Sequence, residues 1–417
     1  MRGVVEGLDN EGLGIVRLGR REIHVPFTAP GDVVEVKRWR RKKRTLVATE
    51  FEVVEPSSTR TEPKCPYFGT CGGCLLQHVP YGEQIRFKSE KLLKILGFEV
   101  DVIPSPRIYG HRNRIDVVIS TGGIGFRRRG TWWDVVDITG CPVFGSSSER
   151  VLRSLREFIE DFKLSLYGIR ENEGFLRYVV IREGKFTGEL MVNLVTSEGS
   201  LPEEFPGYFD YATSVYWSVN RTPSDVSYGD VERFWGSEFI RERIGDVTYL
   251  IHPNSFFQTN SYAAVRLVEE VIELAEGGRV LDLYSGVGTF GVWLAKRGFT
   301  VEGIEMNPFA VEMAVRNAEL NGVKATFKTG RDRDVENLSK YDTVVVDPPR
   351  AGLHPKLIGK ILRDKPENLI YVSCNPKTLA GNLEELSKAY EIEKAIGLDM
   401  FPHTPHVETV VKLKLRV

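Results

Sequence analysis

Over residues 1–55 the apolar positions fall into short runs: Val4–Val5, Gly14–Arg17, Ile23–Val25, Asp32–Lys37 and Leu46–Val54, punctuated by glycine and proline. Such runs read as strands closing a small OB-like β-barrel. Glu55-Pro56-Ser57-Ser58-Thr59 follows as a linker, so a first domain spans 1–56. Ile85, Leu92, Leu93 and Leu96 then recur at helical spacing and stop at Gly97, predicting a helix over Gln84–Leu96, within 80–97. Strand-like runs at Arg114–Ser120, Tyr178–Ile181 and Leu190–Val195, with a helix over Glu149–Phe162, make 57–250 an α+β middle domain. Further on, helices and strands alternate: Tyr262–Ala275, Arg279–Leu283, Phe290–Lys296, Thr300–Ile304 and Ala310–Asn321. Strands at Thr343–Val346, Ile370–Ser373 and His406–Leu415 complete the set. That alternation predicts a parallel, doubly wound α/β sheet, a Rossmann-like domain over 251–417.

Composition narrows the class. The 417 residues are 41% hydrophobic and 27% charged, enough apolar material for real cores, which excludes a disordered chain. Five cysteines exclude a disulfide-stapled scaffold. The N-terminus lacks the apolar stretch of a signal peptide. The long uncharged stretch Val247–Val265 contains Pro253, Asn254, Gln258 and Asn260, which argues against a membrane span. The reading is a soluble, cytoplasmic protein. Three glutamines against abundant Glu, Lys and Arg give a thermophilic bias. The net charge of −1 hides an asymmetry: residues 1–50 hold 11 Lys/Arg against 7 Asp/Glu, and seven of the eight residues Lys37–Arg44 are basic, with Trp39 among them. A solvated edge that blocks aggregation would look similar, but cations clustered around an aromatic favour nucleic acid.

Ser285-Gly286-Val287-Gly288-Thr289-Phe290-Gly291 follows the strand Val280–Tyr284 and opens a helix. Glycines let the backbone approach a ligand closely. Glu305 ends the next strand, 19 residues after Gly286, where a carboxylate accepts hydrogen bonds from a ribose. Gly286-x-Gly288-x-x-Gly291 also fits a dinucleotide fingerprint, so NAD is a rival. Asp282, inside the strand, favours the positively charged amino-acid end of S-adenosylmethionine, and the later motifs carry no hydride-transfer logic.

Asp347-Pro348-Pro349-Arg350 and Ser373-Cys374-Asn375-Pro376 each follow a strand directly, at the carboxyl ends where open α/β sheets bind ligands. A stiff loop holding a thiol there suggests a nucleophile, although a free cysteine is commonly just a small buried hydrophobe. Glu408, before the last strand, reads either as a surface charge or as a general base. His403, His406 and Glu408 lie among prolines without helical spacing, which argues against a metal site. Cys65-x5-Cys71-x2-Cys74, followed far downstream by Cys141, has metal-ligand spacing by itself, and structural zinc satisfies it.

The segments DLYSGVGTF (282–290), DPPRAGL (347–353), SCNPKTL (373–379) and DMFPHTPHVE (399–408), with HPNSFFQTN at 252–260, resemble the RNA (uracil-5-)-methyltransferase family of the TrmA/RumA type. The resemblance covers nearly the whole chain, and the N-terminal barrel is similar to a TRAM domain. It implies S-adenosylmethionine-dependent methylation of uridine C5 in RNA, with Cys374 adding to C6 and Glu408 removing the C5 proton. It implies cofactor contacts at Gln258, Tyr284, Gly286, Thr289, Glu305, Asp332 and Asp347. Thr289 departs from members with Asn, and Asp334 competes with Asp332. It also implies a 4Fe–4S cluster on Cys65, Cys71, Cys74 and Cys141, and a helix 80–97 packed on the catalytic domain. The partner is RNA, with tRNA uridine 54 in the T-loop chosen over large-subunit rRNA, and a monomer suffices. A 5-methylcytosine enzyme is the rival in mechanism. An iron–sulfur nucleic-acid-binding or redox protein is the rival of another class.

Overall fold

The computed structural model describes residues 1–416. Strands β1 (Arg2–Leu8), β2 (Gly14–Leu18), β3 (Arg21–Val25), β4 (Val33–Lys42) and β5 (Thr45–Glu55) close a barrel in the order β1-β2-β3-β5-β4. Alternation fills it: Val5, Val16, Leu18, Ile23, Val25, Val34 and Val36 are buried inside. The basic run occupies the end of β4 and the turn into β5, with Arg40–Arg44 all exposed.

Helix α1 (Tyr81–Leu96) starts three residues before the predicted helix and ends in a left-handed Gly97, as its C-terminal glycine requires. The short strand β6 (Val102–Ile103) follows. Although both lie within 57–250, α1 and β6 pack with the C-terminal sheet, where β6 forms the outermost strand.

The middle sheet has β7 (Arg114–Ser120), β8 (Gly123–Arg127), β9 (Val135–Asp137), β10 (Leu176–Glu183), β11 (Leu190–Thr196), β12 (Ser214–Val219) and β13 (Asp230–Gly236). Their spatial order is β13-β12-β11-β10-β7-β8-β9, antiparallel except for β11 and β12. Helix α2 (Ser147–Phe162) lays Val151, Leu152, Leu155 and Phe158 on one face of it, the amphipathic stripe its sequence predicts. A hairpin, β14 (Ile240–Ile244) and β15 (Val247–Ile251), stands apart and buries Ile240, Ile244 and Tyr249 in the C-terminal core.

That core belongs to α3 (Ser261–Leu274), β16 (Arg279–Leu283), α4 (Thr289–Lys296), β17 (Thr300–Glu305), α5 (Pro308–Leu320), β18 (Ala325–Thr329), β19 (Thr343–Val346), α6 (Pro355–Asp364), β20 (Asn368–Ser373), α7 (Pro376–Leu386), β21 (Tyr390–Leu398) and β22 (Glu408–Leu415). The sheet order is β18-β17-β16-β19-β20-β22-β21-β6, with β22 antiparallel to both neighbours. The fold is thus α/β, a Rossmann-like catalytic sheet with an α+β domain and an OB-like barrel. The chain winds outward from β16 on one side and from β19 on the other, so the topological switch lies between them, where such sheets take their ligands. The sequence reading missed β18 and β21. Both are weakly apolar: β18 buries only Phe327, and Glu391–Lys394 of β21 are exposed. No helix among the described residues is long and apolar enough to cross a membrane.

Candidate active site

The glycine loop sits at the switch point. Tyr284 and Ser285 donate their backbone N–H groups to the Ile304 carbonyl, and Gly286 donates its N–H to Glu305 Oε2 at 3.1 Å. Gly286 adopts φ 53° and has open space where a Cβ would stand, leaving a cradle for a ligand. Gly291 serves packing instead: a Cβ there would lie 3.0 Å from the Phe327 ring and 3.1 Å from Asp282 Oδ2. Tyr284 itself holds φ 64°, a backbone state uncommon for a bulky residue and typical of ligand loops. Its hydroxyl donates to Asp332 Oδ2 at 2.5 Å, whereas Asp334 turns to Arg331. Thr289 opens α4, and its carbonyl accepts from the buried Tyr249 hydroxyl at 2.7 Å. Gln258 is buried in the loop between β15 and α3, held by Asn113, which donates to its carbonyl at 2.7 Å.

Buried carboxylates dominate the electrostatics. Asp282 accepts from the Gly291 N–H at 2.9 Å through one oxygen, while the other is buried without a partner. Burial, then the charges of Asp347 and Glu305, push its carboxyl up to about 8. Burial pushes Asp347, at the end of β19, up to about 7. An unsatisfied buried carboxylate oxygen is costly in an apolar setting. Together with the Gly286 cradle, it suits the cationic amino-acid end of S-adenosylmethionine.

Strand register brings Cys374 and Glu408 together. Ser373 of β20 faces Thr409 of β22, so Cys374 leaves the sheet beside Glu408. Pro376 does more than stiffen the loop: it opens α7, capped by Asn375, whose side chain accepts from the Lys377 N–H at 3.3 Å. Asn375 and Thr378 also donate to the Arg350 carbonyl, at 2.9 and 3.2 Å, stitching the Asp347 loop to the Cys374 loop. Burial pushes the half-buried Cys374 thiol up, and Glu408 and Asp347 add to this while Arg350 opposes it. Burial, with Asp347 adding, holds Glu408 well above the usual carboxylate range, again opposed by Arg350. The Cys374 thiol and the Glu408 carboxyl thus share one guanidinium, and burial favours the protonated form of each.

Comparison with known proteins places the chain in a family. A family model described as tRNA (uracil(54)-C(5))-methyltransferase, TRAM domain, matches residues 1–59. Models for tRNA (Uracil-5-)-methyltransferase and for a methyltransferase small domain match 325–416 and 246–369. The chain is 58% identical over 413 residues to the tRNA (uracil(54)-C(5))-methyltransferase of Pyrococcus horikoshii, covering 99% of this chain and 100% of that protein. It is 46% identical to the 23S rRNA (uracil(747)-C(5))-methyltransferase of Pyrococcus abyssi, covering 100% of both. The crystal structure of the Pyrococcus abyssi tRNA (uracil-54, C5)-methyltransferase with S-adenosyl-L-homocysteine superposes with a TM-score of 0.92, at 56% identity and 99% coverage of both chains. The chain belongs to the RNA (uracil-5-)-methyltransferase family.

Among the residues this family member uses to shape its site, sequence reasoning passed over a buried clamp. Lys88 of α1 and Asp399 are both fully buried and ion-paired, and Lys88 Nζ also donates to the Phe401 carbonyl at 3.1 Å. Gln84 Oε1 accepts from the His403 N–H at 2.9 Å, and Lys91 Nζ donates to the Pro405 carbonyl at 2.7 Å. Helix α1 therefore holds the loop that ends at Glu408. The only sequence signal was polar Gln84, Lys88 and Lys91 sharing one helix face. Buried His403 and half-buried His406 are pushed down to about 4, chiefly by burial, which fits neutral packing groups.

The four remaining thiols border one cavity of about 450 Å3, with Gly73, Gly140, Met400 and Phe401 also on its wall. Burial pushes Cys74 up to about 12 and Cys141 up to about 11. Among the described residues no group of three or more His, Cys, Asp or Glu is spaced to hold a metal ion. The expectation of a metal centre on these four cysteines thus stands uncorroborated. The loop touches both neighbours: Gly72 N–H donates to the Arg127 carbonyl at 2.9 Å, and Leu75 and Leu76 donate to the His403 carbonyl at 2.8 and 3.0 Å.

Proposed function

We propose that the protein methylates C5 of uridine 54 in the T-loop of tRNA, with S-adenosylmethionine as methyl donor. The observation that carries the reaction is the placement of Cys374, directly after β20, beside Glu408 of β22, with Asp347 acting on both and on the Asp282 carboxyl, one oxygen of which has no partner. The choice of tRNA rests on the higher identity to the tRNA enzyme, 58%, than to the rRNA enzyme, 46%.

Uracil C5 is a weak nucleophile. In this reading the Cys374 thiolate adds to C6, and the displaced electron pair forms an enolate that makes C5 nucleophilic. C5 then takes the methyl group, and the donor's sulfonium becomes a neutral thioether. Glu408 takes the C5 proton, the C6–S bond breaks, and Cys374 leaves as thiolate. Arg350 favours the anionic forms of both residues. Asp347 and Asp282 face the cationic donor, Gly286 gives it room, and Glu305, Tyr284, Asp332, Thr289 and Gln258 complete the cofactor wall. A uridine inside folded RNA must be unstacked to reach Cys374. The four-thiol cavity holds a 4Fe–4S cluster in the same proposal.

Mass-spectrometric mapping after incubation with total tRNA and with rRNA tests the substrate. A single 5-methyluridine at tRNA position 54 is expected. Methylation confined to rRNA would replace the target, and no 5-methyluridine in either would overturn the reading. Iron and acid-labile sulfide in anaerobically purified protein test the cluster, and stoichiometric zinc without iron would refute it.

A further inference from the structure

The hairpin tip between β8 and β9 reads Arg127-Arg128-Arg129-Gly130-Thr131-Trp132-Trp133-Asp134. Its two tryptophans face solvent: Trp132 is 57% exposed and Trp133 39%, whereas Trp293 of the catalytic core is 3% exposed. Adjacent exposed aromatics on a soluble surface are unfavourable unless something covers them. Their contacts stay local. The two rings meet edge-to-face at 5.6 Å, Arg170 stacks on Trp133 at 4.6 Å, and Arg128 pairs with Asp134 at 2.5 Å. None of these draws on the hydrophobic core.

The tip has a defined place. The Arg129 N–H donates to the Thr70 carbonyl at 3.3 Å, and its guanidinium stacks on Phe27 of the barrel at 5.5 Å. A Cβ at Gly130 would lie 3.9 Å from the Arg40 guanidinium, so the basic end of β4 runs alongside. Arg40, Arg41 and Lys42 are exposed and make no ion pair among the described residues. Glu11, in the barrel turn that faces Arg129, pairs at 3.4 Å with Lys377, three residues after Cys374. Hairpin tip, basic strand and nucleophile loop therefore border one continuous face.

We propose that Trp132 and Trp133 form a stacking platform for unpaired bases of the RNA substrate, while Arg40, Arg41 and Lys42 hold the adjoining backbone. Stacking of this kind is sequence-tolerant and adds affinity without touching the reacting atoms. The inference deepens the RNA-methyltransferase reading and rests on it.

The test compares the full-length protein with Trp132→Ala/Trp133→Ala and with Trp132→Phe/Trp133→Phe. The probe is a tRNA transcript in which uridine 54 is replaced by cytidine, titrated at fixed salt, alongside methyl-transfer kinetics on the unaltered transcript. The alanine pair is expected to weaken transcript binding and raise its KM five-fold or more. The kcat and the affinity for S-adenosylhomocysteine should stay within two-fold, and the phenylalanine pair should restore binding. The slope of log affinity against log salt should not change, because no phosphate contact is lost. Transcript affinity within two-fold of the parent in the alanine pair would overturn the proposal. So would a parent dimer, seen in sedimentation, that the alanine pair abolishes with RNA affinity intact. Failure of the parent to methylate uridine 54 would strike the proposed substrate instead, while the binding ratio still decides the hairpin.

Discussion

Two settings for cysteine lie in this molecule, and burial raises the thiol pKa in both. Around Cys74 the ionisable neighbours are Cys141, Cys71 and Cys65, while Cys141 also has Arg112 beside it. Around Cys374 they are Glu408, Asp347 and the opposing Arg350. Desolvation alone therefore does not separate a ligand from a nucleophile. In the proposed function the expected partner separates them: a metal core among the four thiols, or a sulfonium above a thiol flanked by carboxylates.

The sharpest way to break that contrast is to exchange losses. Cys374→Ala should reduce methyl transfer by roughly four orders of magnitude with metal content and Tm unchanged. Cys74→Ala should instead empty the cavity of iron and lower Tm by roughly 5–10 °C. Iron loss in the first variant, or full activity, would erase the distinction. Glu408→Gln should cost about 10²–10⁴ in turnover yet leave addition intact. A methylated protein–RNA adduct stable to denaturing electrophoresis should then accumulate, and its absence at equal loss would move the base elsewhere.

Lys88→Met probes the link between the settings, because the loop before Glu408 receives both α1 and the cysteine loop. Stranding the buried Asp399 charge should cost about 3–5 kcal/mol in chemical denaturation, and Lys88→Met/Asp399→Leu should recover most of it. A smaller effect comes from pH. Without ligand, Asp282 at about 8 and Asp347 at about 7 hold protons. Both lie above their unfolded values, so their contribution to stability is full below about pH 4 and is lost as pH rises to 7–8. The ammonium of the ligand's amino-acid end is held best by the ionised forms, so S-adenosylhomocysteine affinity should climb several-fold from pH 6 to 8, by calorimetry, and Asp282→Asn should flatten the climb.

The catalytic half was legible because its motifs end strands. Val280–Tyr284, Thr343–Val346 and Ile370–Ser373 are mostly apolar, largely buried runs whose next residues carry the candidate chemistry. Asp332 and Asp334 were indistinguishable in sequence, since only the fold turns one to Tyr284 and the other to Arg331. The Lys88–Asp399 pair was invisible because its members lie 311 residues apart. Strands such as β8, β9 and β13 went unread because their runs are short or mostly exposed. With them the exposed tryptophans of the hairpin passed without comment.

Strand β6 and helix α1 have a consequence for how this enzyme can be rebuilt. The outer edge of the catalytic sheet is closed by Val102 and Ile103, synthesised long before the β21 residues Gly397 and Leu398 that they pair with. A chimaera joined at residue 250 would take its edge strand and its Glu408 clamp from the donor of the other half. A graft that keeps residues 81–103 with 251–417 should carry its catalytic sheet whole, and the exchangeable parts are then the barrel and the seven-stranded sheet.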